Sequence, residues 1–350
     1  MMIDKTLMND MMTQSRLYQP SSFWRQASIK IMQEFANGGI ERFRSLPTAL
    51  SFFVPTYGFP GNGLNEALVT EMNALMVSRE CSLKQQATVQ QFLNGHQSAL
   101  ADYRVLMASQ PEFSMAESVA HGLKNFSESA VGEPIEQFEF DSKRYSRSAL
   151  NYLLGLSFLS QYAGLESINT VLEIGGGFGT LGEITQKCFK NAKYIDIDIP
   201  PTLFAADYYL KETFGEKVMS AYEEHAHNGE IFIENLNAMT LLPAWKIEQL
   251  QGKVDLFVNF ISFQEMEPAI VQNYLNHVSR LQSKWVLLRN MREGKQVKQV
   301  DCVGVEKPIL SDDYINMLPE YELVETNVWP FGFKTVDEYH SELMLFKRRL

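Results

Sequence analysis

The chain has 350 residues, of which 45% are hydrophobic and 21% are charged. This balance is typical of a folded protein with two domains, or with one large domain and an extension. The 31 lysine and arginine residues and 42 aspartate and glutamate residues give a formal net charge of −11. Such an acidic chain is not expected to be a general nucleic-acid binder, because binding to phosphates needs a basic surface.

The cysteines and the apolar segments bear on the compartment and on membrane topology. Cys81, Cys188 and Cys302 are far apart and form no C-x-x-C pair, so neither a disulfide framework nor a thiolate zinc site is predicted. We therefore expect a reducing, cytoplasmic compartment. The longest uncharged apolar stretch, residues 149–165, is shorter than the roughly 20 residues of a typical membrane span. A buried helix is expected there, and no membrane span.

Residues 1–145 are predicted to form a helical N-terminal region. Three apolar stripes at helical spacing support this prediction: Trp24, Ala27, Ile31 and Phe35; Leu64, Leu68, Met72 and Leu75; and Val89, Leu93, Leu100, Tyr103 and Met107. The pair Gly38-Gly39 is expected to end the first helix. Residues 46–63 lie between the first two stripes and are rich in proline, glycine and aromatic residues. That composition favours an ordered loop over a helix.

Residues 146–350 show a different pattern, in which short apolar runs alternate with helical stretches. Five runs have this form: TVLEIG, AKYIDID, EIFIEN, VDLFVNF and KWVLLRN. They predict βαβ units and a parallel sheet covered on both faces. Ser146 is expected to cap the first helix of this domain. A helix over 311–318 follows, and the runs YELVETNVW and SELMLFKRR then predict an antiparallel hairpin. The fold class is therefore α/β, with a mostly parallel seven-stranded sheet.

The stretch VLEIGGGFGTLGEI, residues 171–184, predicts a strand that enters a helix through a glycine-rich turn. Glycines let the backbone turn sharply and approach a ligand, and the following helix offers unpaired N–H groups. Two ligand patterns overlap here. Gly175, Gly177 and Gly179 fit the methyl-donor loop of S-adenosylmethionine (SAM) methyltransferases. Gly177, Gly179 and Gly182 fit the dinucleotide fingerprint G-x-G-x-x-G. A glycine turn without a ligand is the remaining alternative.

Three features favour SAM over a dinucleotide. Glu173 stands two residues before Gly175, where a carboxylate suits the methionine ammonium better than a pyrophosphate. Asp198, with Asp196 as the less favoured choice, ends the next strand and could bind the ribose hydroxyls. The closing hairpin suits a Rossmann-like class I SAM methyltransferase and not the six-stranded parallel dinucleotide fold. In this interpretation Gly182 packs the helix against the sheet.

Other candidate site residues follow from the rule that ligands bind beyond the carboxyl ends of parallel strands. Asn237 follows the third run and is expected to meet the adenine amino group. The residues expected at the mouth of the cleft after the fourth strand are Asn259, Ser262, Phe263, Gln264 and Glu265. Arg289, Asn290 and Arg292 follow the fifth strand and could bind acceptor hydroxyls or a phosphate. Tyr145 is expected to close over the cofactor.

From about Gly132 to the C-terminus, the chain resembles the sugar O-methyltransferases of bacterial surface-polysaccharide and glycan gene clusters. The resemblance rests on GEPIEQFEFDSKRYSRSALNYL, VLEIGGGFG, YIDIDIPPTLFAADYYL and VDLFVNFISFQEME. The D-I-P after the second strand and the S-F-Q-E-M after the fourth are its more specific parts. The resemblance implies a SAM cofactor and a sugar hydroxyl as acceptor.

Methyl transfer to a hydroxyl is an in-line displacement that needs alignment and benefits from a general base. Glu265 is the predicted base, because it should project from the loop after the fourth strand. His340 and Asp301 are the alternatives. His225 and His227 form an H-x-H pair, but no third ligand lies nearby in the pattern, so no metal site is predicted.

Four hypotheses remain open from the sequence. The chain could methylate a sugar or glycoconjugate, methylate another small metabolite, act as a nicotinamide-dependent oxidoreductase, or serve as a non-catalytic scaffold. The N-terminal region, residues 1–145, is expected to cover the acceptor side or to form a homodimer contact, and residues 146–350 to bind SAM. The expected partners are a small-molecule or glycan acceptor and no nucleic acid.

Overall fold

The computed structural model describes residues 5–53, 66–109, 119–189, 191–222, 229–299, 304–335 and 338–349. The N-terminal region is helical within these ranges. Its α-helices are α1 (Lys5–Thr13), α2 (Ser22–Gly38), α3 (Pro47–Phe53), α4 (Glu66–Ser78), α5 (Leu83–Leu93), α6 (His96–Ser109) and α7 (Val119–Asn125). Over the described residues, which do not include Leu64, the three apolar stripes therefore predicted helices correctly, but the third stripe forms two helices and not one.

Local backbone chemistry explains both the correct and the incorrect boundaries. The α2 helix begins after Ser21, whose side chain accepts a bond from the Trp24 N–H, and it ends at Gly39 with φ of 84°. The stretch predicted as a loop, residues 46–63, begins with helix α3, because proline is favoured at the first position of a helix; its residues 54–63 lie outside the described residues. The third stripe is divided between α5 and α6, since Gly95 has φ of 81° and breaks the helix.

The N-terminal region also contains a hairpin that the sequence pattern did not reveal. Strands β1 (Phe138–Phe140) and β2 (Lys143–Tyr145) pair antiparallel. The two residues between them, Asp141 and Ser142, have φ of 49° and 62°, as a type I′ turn requires. The strands have only three residues each, too few to show an alternating pattern.

The main sheet and its helices occupy the rest of the chain. In order they are α8 (Arg147–Leu159), β3 (Thr170–Ile174), α9 (Thr180–Cys188), β4 (Lys193–Asp198), α10 (Pro200–Phe214), β5 (Met219–Ser220), β6 (Ile231–Phe232), β7 (Met239–Pro243), β8 (Leu250–Gln251), β9 (Leu256–Phe260), α11 (Pro268–Arg280), β10 (Trp285–Met291), α12 (Ser311–Met317), β11 (Tyr321–Asn327), β12 (Phe333–Lys334) and β13 (His340–Arg348). Ser146 caps α8 by accepting the Ala149 N–H, as predicted.

The strand order is β11-β13-β10-β9-β3-β4-β7-β5, with β12 paired to β13. Strands β10, β9, β3, β4, β7 and β5 run parallel. Strand β13 lies between β10 and β11 and is antiparallel to both, so the predicted closing hairpin is confirmed. Within the described ranges this sheet has nine strands. The predicted number of seven was wrong because β5 and β12 are two-residue strands without a sequence signal.

The third predicted strand, EIFIEN, was also wrong. Only Ile231–Phe232 of this run is a strand, and it pairs with β8 in a separate two-stranded sheet. The strand beside β4 is instead β7, formed by the fully buried run MTLLP. Its final proline lies at the end of the strand, where the loss of one backbone N–H is tolerated.

The two faces of the sheet carry separate hydrophobic clusters. One cluster joins Leu287 and Tyr194 of the sheet to Ile31, Phe35 and Phe43 of the N-terminal region, so the N-terminal helices share a core with the α/β domain. The other cluster includes residues of α1 and α11. Across the described ranges, every helix is too short or too polar to form a membrane-spanning segment.

Candidate functional site

The glycine loop after β3 makes a sharp turn at the carboxyl edge of the sheet. Gly175, Gly177 and Gly179 have φ of 74°, 64° and 91°, a region that side chains rarely adopt. The Gly175 N–H donates to the Ile197 carbonyl at 2.9 Å. A Cβ on Gly175 would lie 2.2 Å from the Ser262 Oγ. The loop therefore requires glycine both for its backbone conformation and for its contact with the loop after β9.

Gly182 has a different reason to be glycine. It lies in α9, and a Cβ there would come within 2.7 Å of the Tyr194 ring on β4. The helix can approach the sheet closely because this side chain is absent. The predicted packing role of Gly182 is therefore confirmed.

Asp198 ends β4 beside the glycine loop. Its Oδ2 accepts the Gly177 N–H at 3.1 Å, and its Oδ1 accepts the Ile199 N–H at 2.7 Å. Burial raises the pKa of Asp198 to about 6, against the effect of these hydrogen bonds. The carboxylate thus lies at the carboxyl edge predicted for a ribose ligand, and it also fixes the loop. Its contact with ribose stays a prediction.

Glu173 lies beneath the loop and is fully buried. Its two oxygens accept hydroxyl bonds of 2.6 Å from Tyr152 on α8 and Tyr194 on β4. Burial raises its pKa to about 7, while the two tyrosine hydroxyls act in the opposite direction. The sequence predicted a contact with the methionine ammonium, and that contact stays a prediction. The tyrosine partners give Glu173 a second, structural role that the sequence did not reveal.

Asp196 adds a third buried carboxylate to this region. It is the strand neighbour of Glu173 in the β3–β4 register. Its Oδ1 accepts the Gly176 N–H at 3.3 Å. Its Oδ2 has no hydrogen-bond partner among the described residues. Burial raises the pKa of Asp196 well above its usual range, and the neighbouring carboxylates Asp198 and Glu173 raise it further.

Asn259 and Ser262 connect the loop after β9 to the end of β3. The Asn259 Nδ2 donates to the Ile174 carbonyl at 2.9 Å and to the Ser262 Oγ at 2.6 Å. The Ser262 hydroxyl donates to the same carbonyl at 3.1 Å. Between them, Ile261 has φ of 74° and ψ of −38°, a strained conformation for a branched residue that costs about 1–3 kcal/mol. Such strain is characteristic of functional sites.

Gln264 and Asn290 connect this loop to β10. The Asn290 Oδ1 accepts the Gln264 N–H at 3.1 Å, and the Gln264 Oε1 accepts the Met291 N–H at 2.7 Å. Phe263, expected at the mouth of the cleft, is instead fully buried and packs beside Phe257. The expectation failed because the loop forms a short helical turn, Ser262–Glu265, whose four residues are all buried.

Glu265 lies at the end of the same loop and contacts the N-terminal region. Its Oε2 accepts the indole N–H of Trp24 at 3.0 Å, and its Oε1 lies 3.5 Å from the Nζ of Lys295. The Ser21 hydroxyl donates to its backbone carbonyl at 2.9 Å. Burial raises the pKa of Glu265, while Lys295 and Trp24 act to lower it. A buried carboxylate with few donors is a suitable general base.

Helix α3 covers the glycine loop from above. The Cδ1 of Phe53 lies 3.9 Å from the position that a Cβ on Gly177 would occupy. Phe43 packs against Phe178 of the loop, with ring centroids 5.4 Å apart. The guanidinium of Arg44 lies 5.0 Å from the Phe178 ring centroid. The N-terminal region therefore encloses the same edge of the sheet at which Asp198 and Glu265 lie.

Trp24, Tyr152 and Lys295 are site residues that the sequence pattern did not reveal. Trp24 was assigned to an apolar stripe, and its indole N–H gave the only available signal, because a buried tryptophan needs a hydrogen-bond acceptor. Tyr152 lies within the apolar run of α8. Lys295 lies in a polar loop without any motif. Tertiary contacts alone bring these side chains to the site.

Tyr145 and Asn237 do not lie where their predicted roles need them. Tyr145 is fully buried, and its ring packs against Tyr103 and Phe140 with centroid distances of 5.3 and 6.3 Å. It therefore cannot close over a cofactor. Asn237 is exposed and precedes β7, so it lies at the amino edge of the sheet, opposite the glycine loop. That error follows from the wrong assignment of the third strand.

Arg289 and Asn290 are both part of β10 and do not follow it. Arg289 is almost completely buried, donates to the Phe331 carbonyl at 2.6 Å, and lies over the Phe260 ring at 5.2 Å. Its predicted contact with an acceptor was based on an exposed loop position, which the structure does not support. Arg292 does follow the strand and pairs with Glu342 at 2.7 Å.

Of the alternative bases and the histidine pair predicted from the sequence, the structure describes only His340. The His340 Nδ1 lies 2.5 Å from the Glu293 Oε1, so this histidine is paired at the start of β13. Asp301, His225 and His227 lie outside the described residues. Within the described residues, no cluster of three His, Cys, Asp or Glu side chains is arranged to hold a metal ion.

Comparisons with known proteins find methyltransferases, at low similarity. No protein-family model matches the chain, and no curated protein sequence matches it. Among solved structures, it is similar to the mitomycin 7-O-methyltransferase MmcR, with 12% identity and a TM-score of 0.39 over 58% of this chain and 55% of that chain. The chain thus spans about half the length of that enzyme.

Two further structures are similar to the same degree. The magnesium protoporphyrin IX methyltransferase from Synechocystis PCC 6803 with bound SAM shares 13% identity at a TM-score of 0.38, over 76% of this chain and 99% of that chain. A SAM-dependent methyltransferase from Clostridium acetobutylicum ATCC 824 shares 12% identity at a TM-score of 0.38, over 56% of this chain and 92% of that chain.

Proposed function

We propose that the protein is a SAM-dependent methyltransferase. The observation that carries the proposal is the contact between the left-handed glycine loop and Asp198 at the carboxyl edge of the sheet. Gly177 donates to the Asp198 Oδ2, so loop and carboxylate form one surface. Strand β13, antiparallel between β10 and β11, supports this proposal over a dinucleotide site, because a fully parallel six-stranded sheet is typical of the latter.

The residues present fit the cofactor chemically. Gly177 leaves space above its backbone, since among the described residues a Cβ there would meet only the Cδ1 of Phe53, at 3.9 Å, and the positive φ of Gly175 and Gly179 gives the loop its sharp turn. Asp198 offers a carboxylate for ribose hydroxyls, and the N-terminus of α9 offers N–H groups for the methionine carboxylate. When bound, SAM would supply an electrophilic methyl group. Asn259 and Ser262 would hold the loop after β9 beside it.

The proposed acceptor is a hydroxyl group, and Glu265 is the proposed base. The Glu265 carboxylate is buried, so it is weakly solvated and suited to accept a proton as the acceptor oxygen forms its new bond. Trp24 and Lys295 would hold it in one orientation. Gln264 and Asn290 would fix the backbone that carries it, and their contact with an acceptor stays a prediction.

The finer proposal is that the acceptor is a sugar or glycoconjugate. Its support is the sequence resemblance at Y-I-D-I-D-I-P-P and S-F-Q-E-M-E, residues 194–201 and 262–267. The N-terminal region, residues 1–145, would then cover the acceptor side, and a homodimer contact is a further possible use of it. Another small metabolite is the alternative acceptor.

Calorimetric titration with SAM and, separately, with NADH tests the cofactor. We expect saturable binding of SAM and none of NADH, and tight binding of NADH alone would overturn the proposal in favour of an oxidoreductase. Methyl-group analysis of host glycans with and without this protein tests the acceptor. Loss of a methylated sugar without the protein would support the finer proposal, and unchanged glycans would contradict it.

A further inference from the structure

Among the described residues, three buried carboxylates lie beneath the glycine loop without an ion-pair partner. Glu173 and Asp196 are paired neighbours on β3 and β4, and Asp198 lies two residues further on the same face of β4. None of the ion pairs within the described residues involves any of them. Burying uncompensated carboxylates is unfavourable, and a positive charge brought by a ligand would relieve it.

In the described part of the chain, the other ionisable groups around the three carboxylates are tyrosines. Tyr152 of α8 and Tyr194 of β4 donate to Glu173, and burial and the nearby charge of Asp198 raise the pKa of Tyr274 on α11. Neutral hydroxyls stabilise one ionised carboxylate by hydrogen bonds but do not balance three charges. Backbone N–H groups of Gly176 and Gly177 add single bonds to the two aspartates. These aspartates therefore hold the loop and face its underside.

The Oδ2 of Asp196 gives an independent sign that the cluster is incomplete by itself. This oxygen is buried and has no hydrogen-bond partner among the described residues. A buried polar atom without a partner is costly and calls for an explanation. Protonation of the cluster is one way to reduce the cost, and a nearby cation is another.

We propose that Glu173, Asp196 and Asp198 form a charge-selective floor that favours the cationic methyl donor over the neutral product and releases a proton when the donor binds. This inference rests on the proposed function. In methyl transfer the acceptor oxygen forms a bond to the methyl carbon, the carbon–sulfur bond breaks, its electron pair stays on sulfur, and the acceptor proton passes to Glu265. The sulfonium thereby becomes a neutral thioether. The floor loses the sulfonium charge, while the methionine ammonium stays, and it takes part of a proton back from solvent, which weakens its hold on the product.

The direction of the pKa values agrees with this proposal. Burial raises the pKa of Glu173 to about 7 and that of Asp198 to about 6, so the cluster holds protons near neutral pH. A cation favours the ionised form and lowers these pKa values. Binding of a cationic ligand is then coupled to proton release, and its affinity rises with pH.

Calorimetry of the whole protein with SAM and with S-adenosylhomocysteine tests the floor directly. Titrations at pH 6.5 in two buffers of different ionisation enthalpy give the number of protons exchanged. We expect release of a fraction of a proton with SAM and less with the thioether. We also expect the ratio of their affinities to shift toward SAM by about tenfold between pH 5.5 and 7.5, which is within the limit for one linked proton.

Equal proton exchange for the two ligands, or a ratio that does not change with pH, would overturn the inference while leaving the proposed function intact. Absence of SAM binding at every pH would overturn both. Because these titrations use the wild-type protein, they test the inference even where a variant does not fold.

Variants identify the residues responsible. Asp196→Asn keeps an acceptor for the Gly176 N–H but removes the charge, and we expect it to shift the affinity ratio away from SAM by about threefold to tenfold at pH 7.5. Glu183→Gln is the matched control. Glu183 is also buried and accepts a tyrosine hydroxyl, from Tyr209, but it is paired with Lys187. We expect the control to leave the ratio unchanged, and an equal shift in both variants would overturn the assignment.

Discussion

Trp24 donates its indole N–H to the Oε2 of Glu265 at 3.0 Å. One residue lies in a helix of the N-terminal region, and the other ends the loop after β9. The bond links the part of the chain proposed to cover the acceptor with the proposed base. Because Trp24 also packs on Phe52, with centroids 4.9 Å apart, its orientation is fixed from the side of α3.

The Trp24–Glu265 hydrogen bond should stabilise the folded protein, and the stability effects of substituting its two residues should therefore be coupled. We expect Trp24→Phe to lower the free energy of unfolding by about 1–3 kcal/mol, because a buried carboxylate loses a donor. In a double-mutant cycle with Glu265→Gln, the double variant should lose less unfolding free energy than the two single variants together, by about 0.5–3 kcal/mol. Urea unfolding followed by circular dichroism measures all three variants. Trp329→Phe, at a side chain that is 66% exposed, is the control. Additive effects would show that the bond carries no coupling.

Glu265→Gln should separate methyl transfer from cofactor binding. A positioned base typically contributes about 10²–10⁴-fold to the rate, so we expect a loss of turnover in that range with SAM affinity nearly unchanged. Transfer of labelled methyl groups to a host glycan preparation measures the rate. Glu267→Gln is the matched control, since Glu267 instead accepts the N–H groups of Glu306 and Lys307. Unchanged turnover in Glu265→Gln would remove this residue from the mechanism.

Asp198→Asn should weaken SAM binding because it removes the charge at the proposed ribose contact. Loss of a charged hydrogen bond of about 1.5–3 kcal/mol corresponds to roughly 10- to 150-fold in affinity. Asp255→Asn is the control, because Asp255 also accepts two backbone N–H groups, from Asn169 and Thr170, but at the amino edge of the sheet. Calorimetry compares the two. A similar loss in both variants would indicate a general structural effect.

Stability should depend on pH through Glu173. Its pKa is raised by burial from 4.5 to about 7, so the folded state holds this proton more tightly than the unfolded chain. The stabilising contribution is complete below pH 4.5 and is lost as the pH rises through about 7. We expect Glu173→Gln to flatten the fall in unfolding free energy over that window by about 1–3 kcal/mol. Thermal unfolding from pH 4.5 to 8 measures it, and parallel profiles would refute the assignment.

The sequence determined those features that depend on local backbone chemistry and on periodicity. The alternation of apolar runs and helices indicated the parallel sheet, and the spacing of Gly175, Gly177 and Gly179 indicated a sharp turn after β3. Ser146 capped its helix as expected, and Gly182 packed as expected. The helix cap and the glycine turn are determined by residues within a few positions along the chain.

Only the tertiary structure decided which side chains meet at the carboxyl edge of the sheet. Asn237 lies at the amino edge of the sheet and not at the predicted carboxyl edge, because β7 and not the EIFIEN run lies beside β4. The same packing buried Tyr145 and Arg289, brought Trp24 to Glu265 across 241 positions, and gathered three carboxylates beneath one loop. Hydrophobic burial is not directional, so an apolar stripe does not specify its partner, and the contacts between distant elements depend on the packing of the whole core.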